Sequence, residues 1–397
     1  MYAPGRLTKK LLLIKNKLNL MNNNEFCRRI SITLFQSSFH APEAVGYHER
    51  NLLFQLNASS LTQNEDSTTE PSKRPDPKTT SILLFPNQGS QYVGMAVPVL
   101  GVPSVQQMYE EASEVLGFDL LEVSLHGPKE KLDEPQVAHP AVLVASLAAA
   151  QKLLYDNPLA IRNCVTAGGY GLGELTALAF SGVFSFQDAV RVCQFRALAI
   201  SAACEGTSGG LASVTYGAGC RLQLCCDAAV QFCARQQLPE AHCSVAAHHW
   251  STCSVIAATE EALEFLEKYQ QDLRLKSVRR LASVPGPLHS PLLRPASDAL
   301  AKMLSGMSLK DPIVPVVSAC DVKYYTRADH VLKKLPAQLK SAIKWQHTIN
   351  KLYTRKSGRG FPQTYICGPG QTMSTEPGSR IPRYRDHHMT VLWISSI

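Results

Sequence analysis

Between Asn163 and Val183 the chain reads NCVTAGGYGLGELTALAFSGV. Short residues from Cys164 to Ala167 lead into Gly168, Gly169, Tyr170, Gly171, Leu172 and Gly173, and a helix-forming run, Glu174 to Phe180, follows. Strand, sharp glycine turn and helix make the shape of a nucleophile elbow, in which G-x-S-x-G lifts a serine hydroxyl above a sheet on a strained turn. The flanking glycines are small because the helix packs close behind the strand. A hydroxyl held this way attacks a carbonyl carbon. Here the five residues are Gly169-Tyr170-Gly171-Leu172-Gly173, and the central position, Gly171, has no side chain. No neighbour stands in: the Tyr170 hydroxyl projects too far, and Thr176 falls on the wrong side of the helix start. A dinucleotide loop, G-x-G-x-x-G, fails in both frames, because its third glycine would fall at Glu174 or at Thr176. A glycine-rich turn without chemistry remains open on the local pattern.

Other reactive side chains form weaker patterns. Cys220, Cys225, Cys243 and His248 could be imagined around a metal, but their spacing has no paired C-x-x-C knuckle, and no metal is expected. The twelve cysteines of the 397 residues are scattered, as core residues of a reducing compartment would be, and do not form a disulfide framework. A net charge of +8 suits an acidic partner or substrate and does not argue for nucleic acid. No apolar run in the sequence reaches the length of a membrane span.

The elements that must position an elbow are legible around it. Ile82 to Phe85 is a continuous apolar run, as in a strand buried on both faces, and Pro86 ends it before the loop Asn87-Gln88-Gly89-Ser90-Gln91. Helical periodicity covers 104–116, 141–154 and 186–202, with Val190, Cys193, Ala197 and Ile200 inward in the last. Strands alternating with helices predict a largely parallel sheet. From Gly206 the texture changes to strand 211–216, helix 220–235, strands 243–247 and 254–258, helix 260–270 and strand 277–282. That βαββαβ order predicts an inserted ferredoxin-like subdomain. The larger fold then resumes with helix 295–304, strand 313–317, helices 330–339 and 345–353, and strand 364–367.

The ends differ in character. Arg6, Lys9, Lys10, Lys15, Lys17, Arg28 and Arg29 lie in a leader whose only acidic residue in that span is Glu25, as in a mitochondrial transit peptide. A Ser, Thr, Pro and charge-rich linker follows to residue 80. The division is therefore leader and linker 1–80, core 81–205, ferredoxin-like insertion 206–283, core 284–370 and an atypical tail 371–397.

Five blocks of sequence, taken together, resemble the malonyl-CoA:acyl-carrier-protein malonyltransferases, especially the mitochondrial branch. FPNQGSQYVGM at 85–95 looks like the family's opening FPGQGSQ-x-x-GM. GFDLLEVSLHGP at 117–128 and PAVLVASLAA at 140–149 match the next block, and GGYGLGELTAL stands where the family has its G-x-S-x-G-E elbow. LHSPLLRPA at 288–296 matches the block with the family's histidine, and IKWQHTINKLYTRKSGRGFPQTYICGPG at 343–370 is similar throughout.

The resemblance implies an α/β-hydrolase-like acyltransferase core with the inserted ferredoxin-like βαββαβ subdomain. It implies transfer of a malonyl group from malonyl-CoA to the thiol of acyl-carrier protein in the mitochondrial matrix, without a cofactor. His289 would be the general base, oriented by the backbone carbonyl of Gln338. Arg196 would grip the malonyl carboxylate with a planar guanidinium that lysine cannot copy. Gln88 and the Leu172 N–H would form the oxyanion hole. Lys351, Arg355, Lys356 and Arg359 would offer a basic face to an acidic carrier. Several positions depart from the family. Gly171 stands where it has its serine, His139 where it usually has Gln, Ala247 and Ala319 where it usually has Asn, and Asn87 where it has Gly. They leave a second expectation beside the enzyme: an inactive relative that binds malonyl-CoA or acyl-carrier protein.

Overall fold

The computed structural model describes residues 76–238, 241–281, 286–354 and 360–370. The basic leader and most of the linker, and the tail 371–397, lie outside the described residues, as do Arg355, Lys356 and Arg359 of the expected basic face. The strands are β1 (Ser81–Phe85), β2 (Cys164–Gly169), β3 (Gly209–Tyr216), β4 (Cys243–Trp250), β5 (Cys253–Thr259), β6 (Leu275–Arg280), β7 (Val316–Val317), β8 (Tyr324–Tyr325) and β9 (Gln363–Ile366). The longer helices are α1 (Pro103–Leu116), α2 (Pro135–Asp156), α3 (Leu172–Phe180), α4 (Phe186–Cys204), α5 (Leu222–Arg235), α6 (Glu260–Lys268), α7 (Arg294–Ser305), α8 (Ala328–Leu339) and α9 (Trp345–Tyr353).

One sheet runs in the order β8-β7-β2-β1-β9. β1 pairs in parallel with β2 and β9, and β2 in parallel with β7, so β1 lies inside the sheet. All five β1 side chains are buried, which is why the sequence shows an apolar run with no alternation. The predicted strand 313–317 shrinks to Val316–Val317. Pro315 interrupts it, since proline has no N–H for a ladder, although Pro315 O still accepts from Ala167 N–H. β8 folds back antiparallel on β7, a two-residue edge that no periodicity could announce.

Helix α2 is longer than its pattern, because Pro140 sits inside it and splits the apparent run. The full 22 residues are long and apolar enough to cross a bilayer, which corrects the reading that no segment reaches that length. Every residue from Val137 to Ala150 is nonetheless buried inside the protein, so the apolar surface is core and not lipid-facing.

The second sheet runs β4-β5-β3-β6 and is antiparallel throughout, in the predicted βαββαβ chain order. Ala212 and Val214 of β3, with Ile256 and Ala258 of β5, pack against Cys225, Cys226, Ala229 and Cys233 of α5 and Leu263 and Leu266 of α6. The alternation places these strand residues on one face, so both helices cover one side. Every described cysteine is a free thiol. A seam joins this sheet to the core: His248 N–H donates to Ile343 O at 2.7 Å, and Ile343 N–H donates to Ala246 O at 2.9 Å. These bonds add residue 343 to β4 as a parallel bridge at Ala247.

Candidate active site

The elbow lies where β2 meets α3. Gly171 has φ 55° and ψ −111°, a conformation that costs any L-residue strain and that glycine adopts freely. The glycines on either side serve packing. A Cβ on Gly173 would fall 2.6 Å from the Phe85 carbonyl carbon and 2.8 Å from Pro86 O, and one on Gly169 would strike the Gly173 backbone. The helix therefore presses directly on the ends of β1 and β2, as the spacing predicts.

The first helical N–H groups of α3 have no partner within the helix. One of them, Leu172 N–H, donates to Asn87 Oδ1 at 2.7 Å. The resemblance implied that this N–H would be an oxyanion donor; here it is already bonded to a side chain. Gln88, the other implied donor, is buried, and neither its Nε2 nor its Oε1 meets a partner among the described residues.

Gln338 and His289 come together as expected, and more closely knit. The His289 ring bonds Gln338 O through Nδ1 at 2.8 Å. A carbonyl can only accept, so Nδ1 carries the proton and Nε2 holds the lone pair a base needs. The Gln338 side chain, to which the sequence assigned no role, donates from Nε2 to Gly171 O at 2.9 Å and to Glu174 Oε2 at 2.8 Å. One residue thus fixes both the elbow and the histidine. Glu174, fully buried at the start of α3, is the hub: it also accepts from Ala319 N–H at 3.0 Å and from the Tyr325 hydroxyl. Burial raises its pKa, and these three donors oppose the rise. The only sequence signal for Glu174 was its place in the G-x-S-x-G-E pattern.

Arg196, on α4, is buried. Its Nη1 lies 3.3 Å from His139 Nδ1, and its Nη2 has no partner among the described residues. A guanidinium only donates, so His139 accepts through Nδ1. Burial pulls the Arg196 pKa down to about 10, which leaves it a cation at neutral pH. Burial, and then the Arg196 charge, push His139 well below the usual imidazole range, so it is neutral. The arrangement is a half-committed cation in a buried wall, suited to a carboxylate.

Ala319 and Ala247 are both buried beside the 343–344 segment: Lys344 N–H donates to Ala319 O at 2.6 Å. The Tyr170 ring packs against Trp345 and His249, with centroids 5.4 and 5.1 Å away, and so serves the wall of the elbow. Lys351, the described member of the expected basic face, places its ammonium 5.2 Å over the Tyr324 ring. Among the described residues no three His, Cys, Asp or Glu side chains gather to hold a metal. Cys225 and Cys243 belong to the core of the small sheet.

The buried imidazoles set a pH dependence. Burial, helped by Arg196 and opposed by the bond to Gln338 O, pushes His289 down to about 4 from 6.5. Between these values the unfolded chain binds a proton that the folded chain does not, so stability rises with pH there. It is therefore complete above about pH 6.5 and lost as pH falls towards 4, by up to roughly 3 kcal/mol from this ring. Thermal midpoints measured across that range should fall with acid, and less steeply in His289→Gln. Equal slopes in the two proteins would reject the assignment.

No family model matches the chain. The probable mitochondrial malonyl-CoA-acyl carrier protein transacylase of Drosophila melanogaster is 40% identical over 348 residues, 86% of this chain and 91% of its own length. The mitochondrial malonyl-CoA-acyl carrier protein transacylase of Homo sapiens is 38% identical over 309 residues, 78% of this chain and 79% of its own length. Among solved structures, the malonyl CoA-acyl carrier protein transacylase of Coxiella burnetii superposes with a TM-score of 0.69 at 25% identity, covering 81% of this chain and 95% of its own. A malonyl-transacylase solved in complex with a type II PKS acyl-carrier protein superposes at 0.68 with 27% identity, covering 80% and 96%.

Proposed function

The chain belongs to the malonyl-CoA-acyl carrier protein transacylase family, and from that premise we propose that it transfers malonyl groups from malonyl-CoA to the thiol of an acyl-carrier protein in the mitochondrial matrix. The observation that carries the reading is the buried Arg196 guanidinium with Nη2 uncommitted, a receptor for the free carboxylate that distinguishes malonyl from a neutral acyl group. His289 is the base. Gln338 orients it, and Gln88 faces the thioester. Residues 81–205 and 284–370 form the acyltransferase core, and 206–283 the insertion.

Gly171 occupies the place of the family's serine nucleophile in this reading. It offers no side-chain hydroxyl, so transfer does not pass through a seryl ester. What remains is direct exchange. His289 takes the proton of the carrier thiol, the thiolate displaces coenzyme A from the malonyl carbonyl, and the proton returns to the departing thiolate. Triads lacking one member retain roughly 10³–10⁴-fold over water from positioning and electrostatics. A second reading, binding without turnover, is favoured by the bonded Leu172 N–H.

One experiment separates them. Protein tagged at its C-terminus is localised by matrix fractionation, and purified protein is mixed with malonyl-CoA and holo-acyl carrier protein. Malonyl should appear on the carrier while intact-mass spectra show none on the enzyme. Malonyl-CoA binding with no transfer would select the second reading, and a malonyl adduct on the wild-type chain would contradict the role given to Gly171.

A further inference from the structure

We propose that Asn87 is a built-in occupant of the elbow, paired in shape with Gly171, and that it controls access of a thioester carbonyl to the Leu172 N–H. Three observations carry this. A Cβ built on Gly171 falls 2.7 Å from Asn87 Cγ and 2.8 Å from its Nδ2, so the carboxamide stands in the space a side chain at position 171 would enter. The same carboxamide takes the Leu172 N–H through Oδ1 at 2.7 Å. The loop behind it is pinned: Ser90 Oγ donates to Asn87 O at 2.7 Å, and Gln91 ties Gly89 N–H to Asp133.

The bond serves α3 as a cap supplied from 85 residues away. It also mimics a bound acyl oxygen, since both are carbonyl oxygens accepting from the same N–H. A ligand carbonyl must therefore exchange with Asn87 Oδ1 before it reaches that donor. Gly171 tolerates Asn87 because it has no Cβ, and Asn87 fills what Gly171 leaves. The pair is thus a local autoinhibitory contact: restoring a hydroxyl at 171 is insufficient while Asn87 remains.

The pairing itself stands on geometry; only the identity of the competing ligand rests on the acyl-transfer reading. The test uses four full-length proteins: wild type, Asn87→Gly, Gly171→Ser and the double variant. Thermal midpoints, malonyl-CoA affinity and malonyl labelling by intact mass are read on each. Gly171→Ser should lower the midpoint strongly beside Asn87 and much less in the Asn87→Gly background. Only the double variant should take up malonyl at position 171. Asn87→Gly alone should bind malonyl-CoA several-fold to about ten-fold more tightly, the range of one freed hydrogen bond. Additive midpoint shifts, or labelling of Gly171→Ser equal to that of the double variant, would overturn the pairing. Should Gly171→Ser not fold, Asn87→Gly still decides, because unchanged affinity rejects control of the N–H. Non-additive midpoints with no malonyl-CoA binding in any of the four would uphold the pairing and remove the malonyl reading instead.

Discussion

Arg196→Ala should weaken malonyl-CoA binding by roughly 10²–10³-fold and leave acetyl-CoA binding within a few-fold. The asymmetry follows from the site. The guanidinium is buried, one of its nitrogens is held near His139, and Nη2 has no partner among the described residues. Glu174, whose charge also acts on Arg196, has its carboxylate engaged by Tyr325, Ala319 and Gln338. In a buried site the charge-assisted bonds are strong, and removing one partner costs about 2–5 kcal/mol. Acetyl-CoA lacks the carboxylate and should not register the loss. Arg196→Lys should recover only part of the affinity, because a point charge cannot present two parallel donors. Calorimetric titration of the three proteins with both thioesters is the measurement, with thermal melts to show that each is folded. Equal losses for malonyl-CoA and acetyl-CoA would mean that Arg196 supports structure and not the acyl group.

Gly173→Ala should abolish the native fold or cost on the order of 3–5 kcal/mol, against a total stability of about 5–15 kcal/mol for a typical protein. The new methyl would meet the Phe85 carbonyl and Pro86 O at distances no real Cβ shows. These are backbone atoms at the end of β1, so the helix or the central strand must move. Every residue of α3 is buried, and a shift there would be felt through the packed core. Gly101→Ala is the control: nothing lies within 4 Å of its added Cβ, and its melt should be nearly unchanged. A Gly173→Ala protein that melts like wild type would refute the close packing of α3 on β1.

The elbow was legible because its physics is local. Close helix–strand packing demands Gly169 and Gly173, and that demand is written in spacing. The small sheet was legible for a related reason: its short apolar strands and amphipathic helices are each written in a local stretch of sequence. What the sequence concealed comes from afar. Glu174 takes its partners from Ala319, Tyr325 and Gln338, separated by 145, 151 and 164 residues, and no window reveals such a hub. The capture of Leu172 N–H by Asn87 is hidden in the same way, although the unusual residue at 87 was visible. Pro140 misled in the opposite sense, since a helix buried in tight packing tolerates the lost hydrogen bond that an isolated one would not.

The two backbone hydrogen bonds between β4 and Ile343 have a mechanical meaning. They make residue 343 part of the small sheet while Lys344, the next residue, is bonded to Ala319 beside the elbow. Swinging the inserted sheet away from the core as a rigid flap would break the bonds at His248 and Ala246 together and pull on the segment that seats Glu174. The insertion is therefore latched to the core at this seam. A single peptide step, from Ile343 to Lys344, separates the bonds to the small sheet from the bond beside the elbow, so a displacement of one is handed directly to the other.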